Sequence, residues 1–384
     1  MLRTDITKIL LLGTACTTLL ACSTGEIVNV ALSKDPEQFV RNRVQGYKSN
    51  PLALARDLKR LTRLLRGEVQ REWGEDEVVL PGRHRYVKYT QNYRSRAIIN
   101  FDSGDIRVET VDTEQPRSSL RNAIITTLLT PGDPRAVDLY SANTVILSGT
   151  PYLYGLVRNQ HGQSIDSPQR AERYADYLLA NRLQVRSIKL NGERKTARSV
   201  RLRMVNNHEN LRAQRYAHLV EHYAARFGVS RSLVYAVIKT ESNFNPFAVS
   251  SAPAYGLMQL VPGSGGRDAY RHIKGRDRVP GRDYLFNATN NIELGTGYIS
   301  VISNKYLKAI HDPVSREYCT IAAYNTGAGN VLRAFSSNRE QAARIINRMS
   351  PADVYTYLRQ KLHYAEARRY LYKVVSARKQ FVNL

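Results

Sequence analysis

The chain has 384 residues, of which 57 are Lys or Arg and 33 are Asp or Glu, so its formal net charge is +24. With 42% hydrophobic residues it can bury real cores, which excludes wholesale disorder, and 23 Gly and 14 Pro are too few for a collagen-like chain. The length predicts two or three domains, and the charge predicts anionic surroundings: nucleic acid, a membrane surface or an acidic polymer.

Residues 1–21 have the features of an export signal. Basic residues precede an apolar run that is too short to span a bilayer, and no later stretch reaches the roughly 20 apolar residues of a spanning helix. The run ends in Leu19-Leu20-Ala21-Cys22, which resembles the lipobox of bacterial lipoproteins; an ordinary signal with an incidental cysteine is the alternative. The resemblance predicts lipidation of Cys22 and, because Ser23 rather than Asp follows, an outer-membrane anchor facing the periplasm.

The cysteine count agrees with this interpretation. Of the three cysteines, Cys16 would leave with the signal and Cys22 would carry lipid, so Cys319 would be alone and the mature chain would have no intramolecular disulfide. Cys319 lies in an apolar run, where we expect a small buried hydrophobe rather than a nucleophile. No Cys/His pattern has metal-ligand spacing, so the sequence predicts no metal and no other cofactor.

A tether is predicted for residues 22–35 and an α+β domain for residues 36–205. From Pro36 to about Trp73, leucines recur every three or four residues with Arg and Lys between them. This pattern predicts an amphipathic helix packed on its own domain. A membrane-surface helix is the alternative, because the chain already has a predicted anchor.

Alternating residues around turn residues predict two hairpins in this domain. Residues 97–101 and 106–111 flank a turn at 102–105, and residues 185–190 and 200–205 are separated by a segment that starts with Asn191-Gly192. In the last of these strands Arg alternates with apolar residues, so one face is basic and the other belongs to the core. A weaker alternation at 86–89 and helices at 118–129 and 168–179 complete the domain, which has no catalytic signature.

Residues 206–384 are predicted to form a mainly helical domain, which makes the whole chain α+β. Gly228 provides a helix stop and Ser230 a cap. The predicted helices are 211–227, 231–240, 289–307, 313–324, 338–348, 351–362 and 364–380.

Glu241 stands at the C-terminal end of a mostly apolar helix, shortly before the helix-breaking Pro246. The helix macrodipole is negative at that end, and partial burial disfavours the ionised carboxylate, so both effects are predicted to raise its pKa. A raised carboxyl pKa is what a general acid needs at neutral pH. For a lone glutamate an exposed helix end is the simpler interpretation, and the acid therefore needs further support.

Three more sequence blocks supply that support. Glu241-Ser242 is followed in order by Gly256-Leu257-Met258-Gln259, by Ala323-Tyr324-Asn325 and by Tyr370, with residues 291–295 between the second and third. Together they resemble family 1 lytic murein transglycosylases, whose soluble-type catalytic domain is related to goose-type lysozyme. The resemblance covers roughly residues 215–380. With the export signal and the basic α+β segment, the arrangement resembles a membrane-bound member of that family.

The resemblance implies a lysozyme-like catalytic domain and a lyase reaction on peptidoglycan. Glu241 would protonate the glycosidic oxygen of the β-1,4 bond between N-acetylmuramic acid and N-acetylglucosamine, and the substrate's N-acetyl group would stabilise the developing cation. The ionised Glu241 would then take the proton of the C6 hydroxyl, which closes a 1,6-anhydro ring without consuming water.

The resemblance also assigns roles to the other matched residues. Ser242 would bond Glu241 or the substrate, and Tyr370 would bond Glu241 from the far side. The sugar subsites would be lined by Met258 and Gln259. The remaining pair, Tyr324 and Asn325, would hold the N-acetyl group and orient the acid.

Other functions stay open at this point. A lysozyme-like hydrolase would use a second carboxylate, for which Asp268, Asp277 and Asp283, in the loop after the second block, are available. A lipid-anchored, non-catalytic peptidoglycan-binding protein would lack the acid, which Glu241 contradicts. The export signal opposes nucleic-acid binding.

The expected partners are peptidoglycan strands and the outer membrane, with no nucleic acid or metal; protein partners are unknown. A charge of about +23 remains after residues 1–21 leave, and it would hold the enzyme against an acidic wall.

Overall fold

The computed structural model describes residues 51–250 and 253–382, with the backbone alone for 51–57. The predicted signal at 1–21, Cys22, the tether at 22–35 and the first part of the helix predicted from Pro36 lie outside these residues. Within the described ranges, no helix combines the length and the apolar character needed to cross a membrane.

Five antiparallel strands form one sheet in the order β1-β2-β3-β5-β4. Both predicted hairpins are confirmed, but the second is longer than predicted, because β5 pairs with β4 from Glu193 onward, directly after the left-handed Asn191 and Gly192. The predicted strand had started only at residue 200, because the polar stretch before it shows no clean alternation. The strands are β1 (Arg85–Thr90), β2 (Ser95–Asn100), β3 (Asp105–Thr110), β4 (Gln184–Leu190) and β5 (Glu193–Arg203).

Helices cover both faces of this sheet. On one face α1 (Pro51–Trp73) packs Leu65, Val69 and Trp73 against Ala197 of β5. On the other face α2 (Pro116–Leu128) and α3 (Pro168–Asn181) pack against Val200 and neighbouring apolar residues. Successive side chains of a strand point to opposite faces of the sheet. This is why β5 contributes Ala197 to the apolar cluster on one face and Val200 to the cluster on the other. The three predicted helices are therefore confirmed over the described residues.

The rest of the described chain is mainly helical, as predicted, so the α+β class is confirmed. The helices are α4 (His208–Gln214), α5 (Ala217–Phe227), α6 (Arg231–Ser242), α7 (Arg267–Lys274), α8 (Arg282–Phe286), α9 (Ala288–Val301), α10 (Pro313–Thr326), α11 (Ala328–Phe335), α12 (Arg339–Asn347), α13 (Pro351–Lys361) and α14 (Ala365–Arg378).

Three details of the helical prediction were wrong. The single helix at 211–227 is divided between α4 and α5, where Arg215 donates to the carbonyls of Tyr152 and Tyr154. The predicted loop after the second block contains two helices, α7 and α8. The helix predicted to end at 307 leaves α-geometry after Val301 and finishes in a π-helical turn, Ile302–Tyr306.

The sheet and the helical part share an apolar core. Tyr86 of β1 and Tyr152 both make edge-to-face contacts with Phe247, at centroid distances of 5.0 and 5.4 Å, and Cys319 is buried in a second cluster within the helical part, as expected. All described residues belong to one compact unit. The division of the chain between residues 205 and 206 stays a prediction.

Candidate active site

Helix α6 places Glu241 at the junction of the two parts. Its apolar residues are buried on nearly every side, so the carboxylate at its last turn is only 4% exposed. The helix ends two residues later than predicted, at Ser242. Its C-cap, Asn243, has a left-handed backbone (φ 47°, ψ 46°) and is followed by a second left-handed residue, Phe244 (φ 59°). Two consecutive non-glycine residues in this region cost energy, so the surrounding contacts must hold them.

The sheet provides those contacts. The Nδ2 atom of Asn243 donates to the Phe101 carbonyl at 3.0 Å and to Asp102 Oδ1 at 2.9 Å. The His84 ring, just before β1, bonds the Thr240 carbonyl at 3.1 Å, one residue before Glu241. The last carbonyls of a helix lack intrahelical partners, and here the N-terminal part supplies one.

Three more hydrogen bonds tie the same turn to residues that flank β1 and β2. Asn245 donates from Nδ2 to the Arg83 carbonyl at 2.9 Å. The fully buried Arg212 of α4 donates to the carbonyls of Phe101, at 2.7 Å, and Asn243. The end of α6 is therefore held, directly and through Arg212, by residues of the N-terminal part of the chain.

Glu241 opens onto a cleft of about 470 Å³. Four of the predicted site residues, Glu241, Gln259, Tyr324 and Asn325, line it. The remaining lining residues are Arg83, Ser250, Ala254, Val261, Thr326, Asn330, Tyr364, Ala365 and Glu366.

Burial raises the pKa of Glu241 to about 7, which confirms the predicted direction. Arg83, with Nη1 3.6 Å from Glu241 Oε2, and the nearby Tyr370 hydroxyl and His84 lower this pKa, whereas Glu366 raises it. The same Arg83 Nη1 lies 3.5 Å from Glu366 Oε1, so the two carboxylate oxygens lie no more than about 7 Å apart. An acid with a pKa near 7 can both give and take a proton at neutral pH.

Of the two predicted site residues in the second block, one lies in the core and the other lies at the cleft. Met258 is fully buried and does not line the cleft; a Cβ added to Gly295 would lie 2.3 Å from its Sδ atom. Gln259 lies at the cleft in a left-handed conformation (φ 47°) and donates from Nε2 to the carbonyls of Ala248 and Gly256. Its Oε1 atom is buried without a partner in the described part of the chain, which leaves an acceptor for a ligand.

Ser242 does not bond Glu241; its buried hydroxyl donates to the Ile238 carbonyl at 3.0 Å, one turn back along α6. Tyr324 donates to the Met258 carbonyl at 2.9 Å, which fixes the third block to the second. The Asn325 side chain makes no hydrogen bond with any described residue.

Tyr370 lies behind the acid rather than in the cleft. It is buried, and its hydroxyl has no well-formed hydrogen bond to any residue that the structure describes. The Glu241 carboxylate is close enough that each group shifts the pKa of the other.

The three candidate aspartates are engaged elsewhere and do not line the cleft. Asp268 bonds Arg271 and Tyr306, Asp277 bonds Arg267, and Asp283 bonds Arg282. The carboxylate that does share the cleft with Glu241 is Glu366.

Sequence reasoning missed Arg83 and Glu366 as site residues. Glu366 lies four positions before Tyr370 of the fourth block, but the resemblance gave it no role. Arg83 lies 158 positions before Glu241 in a segment with no motif, so no local pattern could identify it.

A buried carboxyl with a raised pKa, at the end of a core helix beside an open cleft, is the geometry of a candidate general acid–base site. Residues 218–347 match the model of the transglycosylase SLT domain, and residues 47–215 match that of the N-terminal domain of membrane-bound lytic murein transglycosylase C. The chain belongs to the membrane-bound lytic murein transglycosylase C family and is an enzyme of the lytic murein transglycosylase class.

Two curated relatives support the assignment. Membrane-bound lytic murein transglycosylase C of Klebsiella pneumoniae (strain 342) is 48% identical over 82% of this chain and 86% of its own length. The protein of that name from Salmonella arizonae is 43% identical over 97% of this chain and 99% of its own. The solved 70-kDa soluble lytic transglycosylase of Escherichia coli superposes with a TM-score of 0.33 at 22% identity, over 44% of this chain and 24% of that one.

Proposed function

We propose that the chain cleaves the β-1,4 bond between N-acetylmuramic acid and N-acetylglucosamine without water and releases 1,6-anhydromuramoyl products. The observation that carries the proposal is the buried Glu241 at the cleft, with a pKa raised to about 7. Near neutral pH such a carboxyl is populated in both forms, as an acid that later acts as a base requires.

In the first step the protonated Glu241 gives its proton to the glycosidic oxygen as the bond to C1 breaks. The substrate's own N-acetyl group stabilises the positive charge at C1. Asn325 and Tyr324 line the cleft beside the acid and are proposed to orient that group. The unpartnered Oε1 of Gln259 is proposed to accept a hydrogen bond from the sugar.

In the second step the ionised Glu241 takes the proton of the muramoyl C6 hydroxyl, whose oxygen attacks C1 and closes the ring. Arg83 and Tyr370 both favour the ionised form, so they are proposed to stabilise the carboxylate between the two steps. Ser242 and Met258 are proposed to act as positioning residues from the core.

The N-terminal part is proposed to be an accessory domain that positions the acid. Its supporting observations are the contacts of His84, Phe101 and Asp102 with the end of α6 and the placement of Arg83 at the cleft. The proposed organisation is a signal at 1–21, a tether at 22–35, the accessory domain at 36–205 and the catalytic domain at 206–384.

The products test the reaction. Purified enzyme and the Glu241→Gln variant are incubated with sacculi, and the released muropeptides are weighed by mass spectrometry. We expect anhydro products, lighter by one water than reducing ends, and at least about a thousandfold loss of turnover in the variant with sacculus binding retained. Reducing muramoyl ends alone would refute the transglycosylase reaction, and unchanged turnover would remove Glu241 from it.

Hydrolysis is the second candidate, and the position of Glu366 favours it. A carboxylate within about 7 Å of the acid could activate a water molecule, as in inverting hydrolases. The Glu366→Gln variant discriminates the two: a transglycosylase keeps its anhydro products, whereas a hydrolase that uses Glu366 as its base loses product formation.

We also propose that Cys22 is lipidated and anchors the chain to the outer membrane, facing the periplasm. The lipobox-like sequence and the words "membrane-bound" in the relatives' names support this. Labelled palmitate should enter the wild type and not the Cys22→Ala variant; equal labelling would refute the anchor.

A further inference from the structure

Helix α1 packs one face on the sheet and exposes another face to solvent. Four cations, Lys59, Arg60, Arg63 and Arg66, lie within two turns. They form no ion pair with any residue that the structure describes, and no acidic residue occurs between Leu58 and Gly67. These residues therefore carry a local charge of +4, and the nearest acidic residues along the helix, Asp57 and Glu68, flank the segment.

Two leucines accompany these cations. Leu61 is 37% and Leu64 is 56% exposed. The inward-facing leucines of the same helix, Leu58 and Leu65, are buried against the sheet, so Leu61 and Leu64 are not part of that packing. Residues three apart lie on the same side of a helix. We call the six exposed residues of this segment the basic leucine face: Lys59, Arg60, Leu61, Arg63, Leu64 and Arg66.

Cations and exposed leucines together fit one kind of surface better than others. An acidic peptide or glycan would neutralise the cations, but it would leave the two leucines in water. An anionic phospholipid surface attracts Lys and Arg and also accepts apolar side chains at the boundary between headgroups and acyl chains. The face also begins close to the membrane along the chain, because Lys59 follows the proposed lipidation site, Cys22, by 37 positions.

We propose that the basic leucine face of α1 rests on an anionic phospholipid membrane. The lipid anchor supplies attachment, and the face fixes the orientation of the sheet, and with it the cleft, relative to the membrane. The biological setting rests on the proposed anchor, whereas the contact itself is a property of the folded chain.

Vesicle sedimentation tests this contact without the anchor. The lipid-free chain from Ser23 onward, which keeps every described residue, is mixed with vesicles of phosphatidylcholine alone or of phosphatidylcholine with phosphatidylglycerol. We expect binding to the anionic vesicles only, weakened by salt. Each removed cation should cost about fivefold, so Arg60→Gln with Arg63→Gln should lose about thirtyfold. Leu64→Ser should weaken binding without changing its salt dependence.

A matched control carries the same loss of charge elsewhere. Arg339 and Arg348 are exposed, lie at the two ends of α12 and form no ion pair with a described residue. Arg339→Gln with Arg348→Gln should leave vesicle binding within about twofold of wild type, because the effect of a charge at a membrane falls off within a Debye length. A control that loses as much as the α1 variant would show general attraction by the net charge and would overturn the proposal.

Two further outcomes separate this proposal from the enzymatic one. If the α1 variant binds anionic vesicles normally but loses sacculus binding, the face belongs to murein and the membrane contact is refuted. Equal binding to neutral vesicles would also refute it. Turnover of a soluble glycan should be unchanged in every α1 variant, so failure of the membrane contact leaves the proposed reaction standing.

Discussion

Glu109 in the sheet and Glu241 in the cleft are both buried glutamates, but their surroundings differ in the number of cations. Glu109 is fully buried, and its carboxylate is met by Arg96 Nε at 2.7 Å, Arg186 Nη2 at 3.2 Å and Arg107 Nε at 3.4 Å. Glu241 has one cation, Arg83, at 3.6 Å.

The arginines around Glu109 are themselves tied down. Arg96 and Arg186 also bond Glu77, whose pKa is lowered to about 2, first by the hydrogen bonds of Arg186. The Arg96 guanidinium lies 3.8 Å above the Trp73 ring. Arg96 and Glu109 are both fully buried, so removal of either leaves the other with fewer opposite charges than it needs, and this cluster acts as a structural unit.

The difference teaches how burial can be used in two ways. Where several cations surround a buried glutamate, as at Glu109, its ion pairs contribute to the fold. Where cations are few, as at Glu241, burial raises the pKa of the carboxyl toward neutral pH. The group then stays available for proton transfer, at a cost in stability. The two sites should therefore respond to the same Glu→Gln change with opposite signs.

The largest expected effect is at the paired site. Glu109→Gln should lower the free energy of unfolding by about 3 to 5 kcal/mol, because it leaves the fully buried Arg96 undercompensated. Urea denaturation followed by the fluorescence of Trp73, the chain's one tryptophan, measures this next to the cluster. Glu114→Gln, at an exposed position, is the control and should change stability by less than about 0.5 kcal/mol. Equal stability of Glu109→Gln and wild type would refute a stabilising role for the ion pairs of Glu109.

The opposite sign is expected at the cleft. The pKa of Glu241 rises from 4.5 to about 7 on folding, so between these pH values the folded chain holds a proton that the unfolded chain has lost. Stability therefore falls as the pH rises through this window, and Glu241→Gln should escape that fall. We expect the variant to be up to about 3 kcal/mol more stable than wild type at pH 8 and equal to it below pH 4.5 or so. A destabilised variant at pH 8 would contradict the argument.

A smaller effect is expected from the single cation at the cleft. Activity should fall as the pH rises above about 7, because Glu241 must start protonated. The groups facing it are Arg83, His84 and Tyr370, which lower its pKa, and Glu366, which raises it. Arg83→Gln should shift the midpoint of this alkaline fall in kcat/KM to higher pH, by up to about one pH unit. Arg83→Lys should largely restore the wild-type midpoint. A profile that keeps its midpoint while its height drops would indicate a structural role alone.

The smallest effect is expected at Glu366, whose side chain is mostly exposed and screened by solvent. Glu366→Gln removes a negative charge near Glu241, so the midpoint of the alkaline fall in kcat/KM should shift to lower pH, by a few tenths of a pH unit. A shift in the direction of the Arg83→Gln shift would contradict the assigned electrostatics.

Local signals predicted much of this molecule. The Asn191-Gly192 turn, the caps and the apolar periodicity identified the strands and most helices, since these depend on neighbours in sequence. Glu241 was predictable for the same reason: its position at the end of an apolar helix already indicates burial and a raised pKa.

What sequence reasoning missed depends on contacts between distant segments. The break between α4 and α5 coincides with the bonds that Arg215 makes to residues some sixty positions earlier. Arg83 reaches the cleft only because the sheet packs beside α6. The orientation of Met258 into the core, and of Gln259 toward the cleft, follows from a left-handed turn that the sequence does not reveal.

The strained turn at Asn243 and Phe244 has a consequence for how this enzyme fails. Its partners lie in a different part of the chain, so an incompletely folded or proteolytically clipped molecule that loses the sheet also loses the setting of Glu241. We therefore expect a clipped chain without the sheet to be less active than the intact chain, and not to be released as a more active fragment.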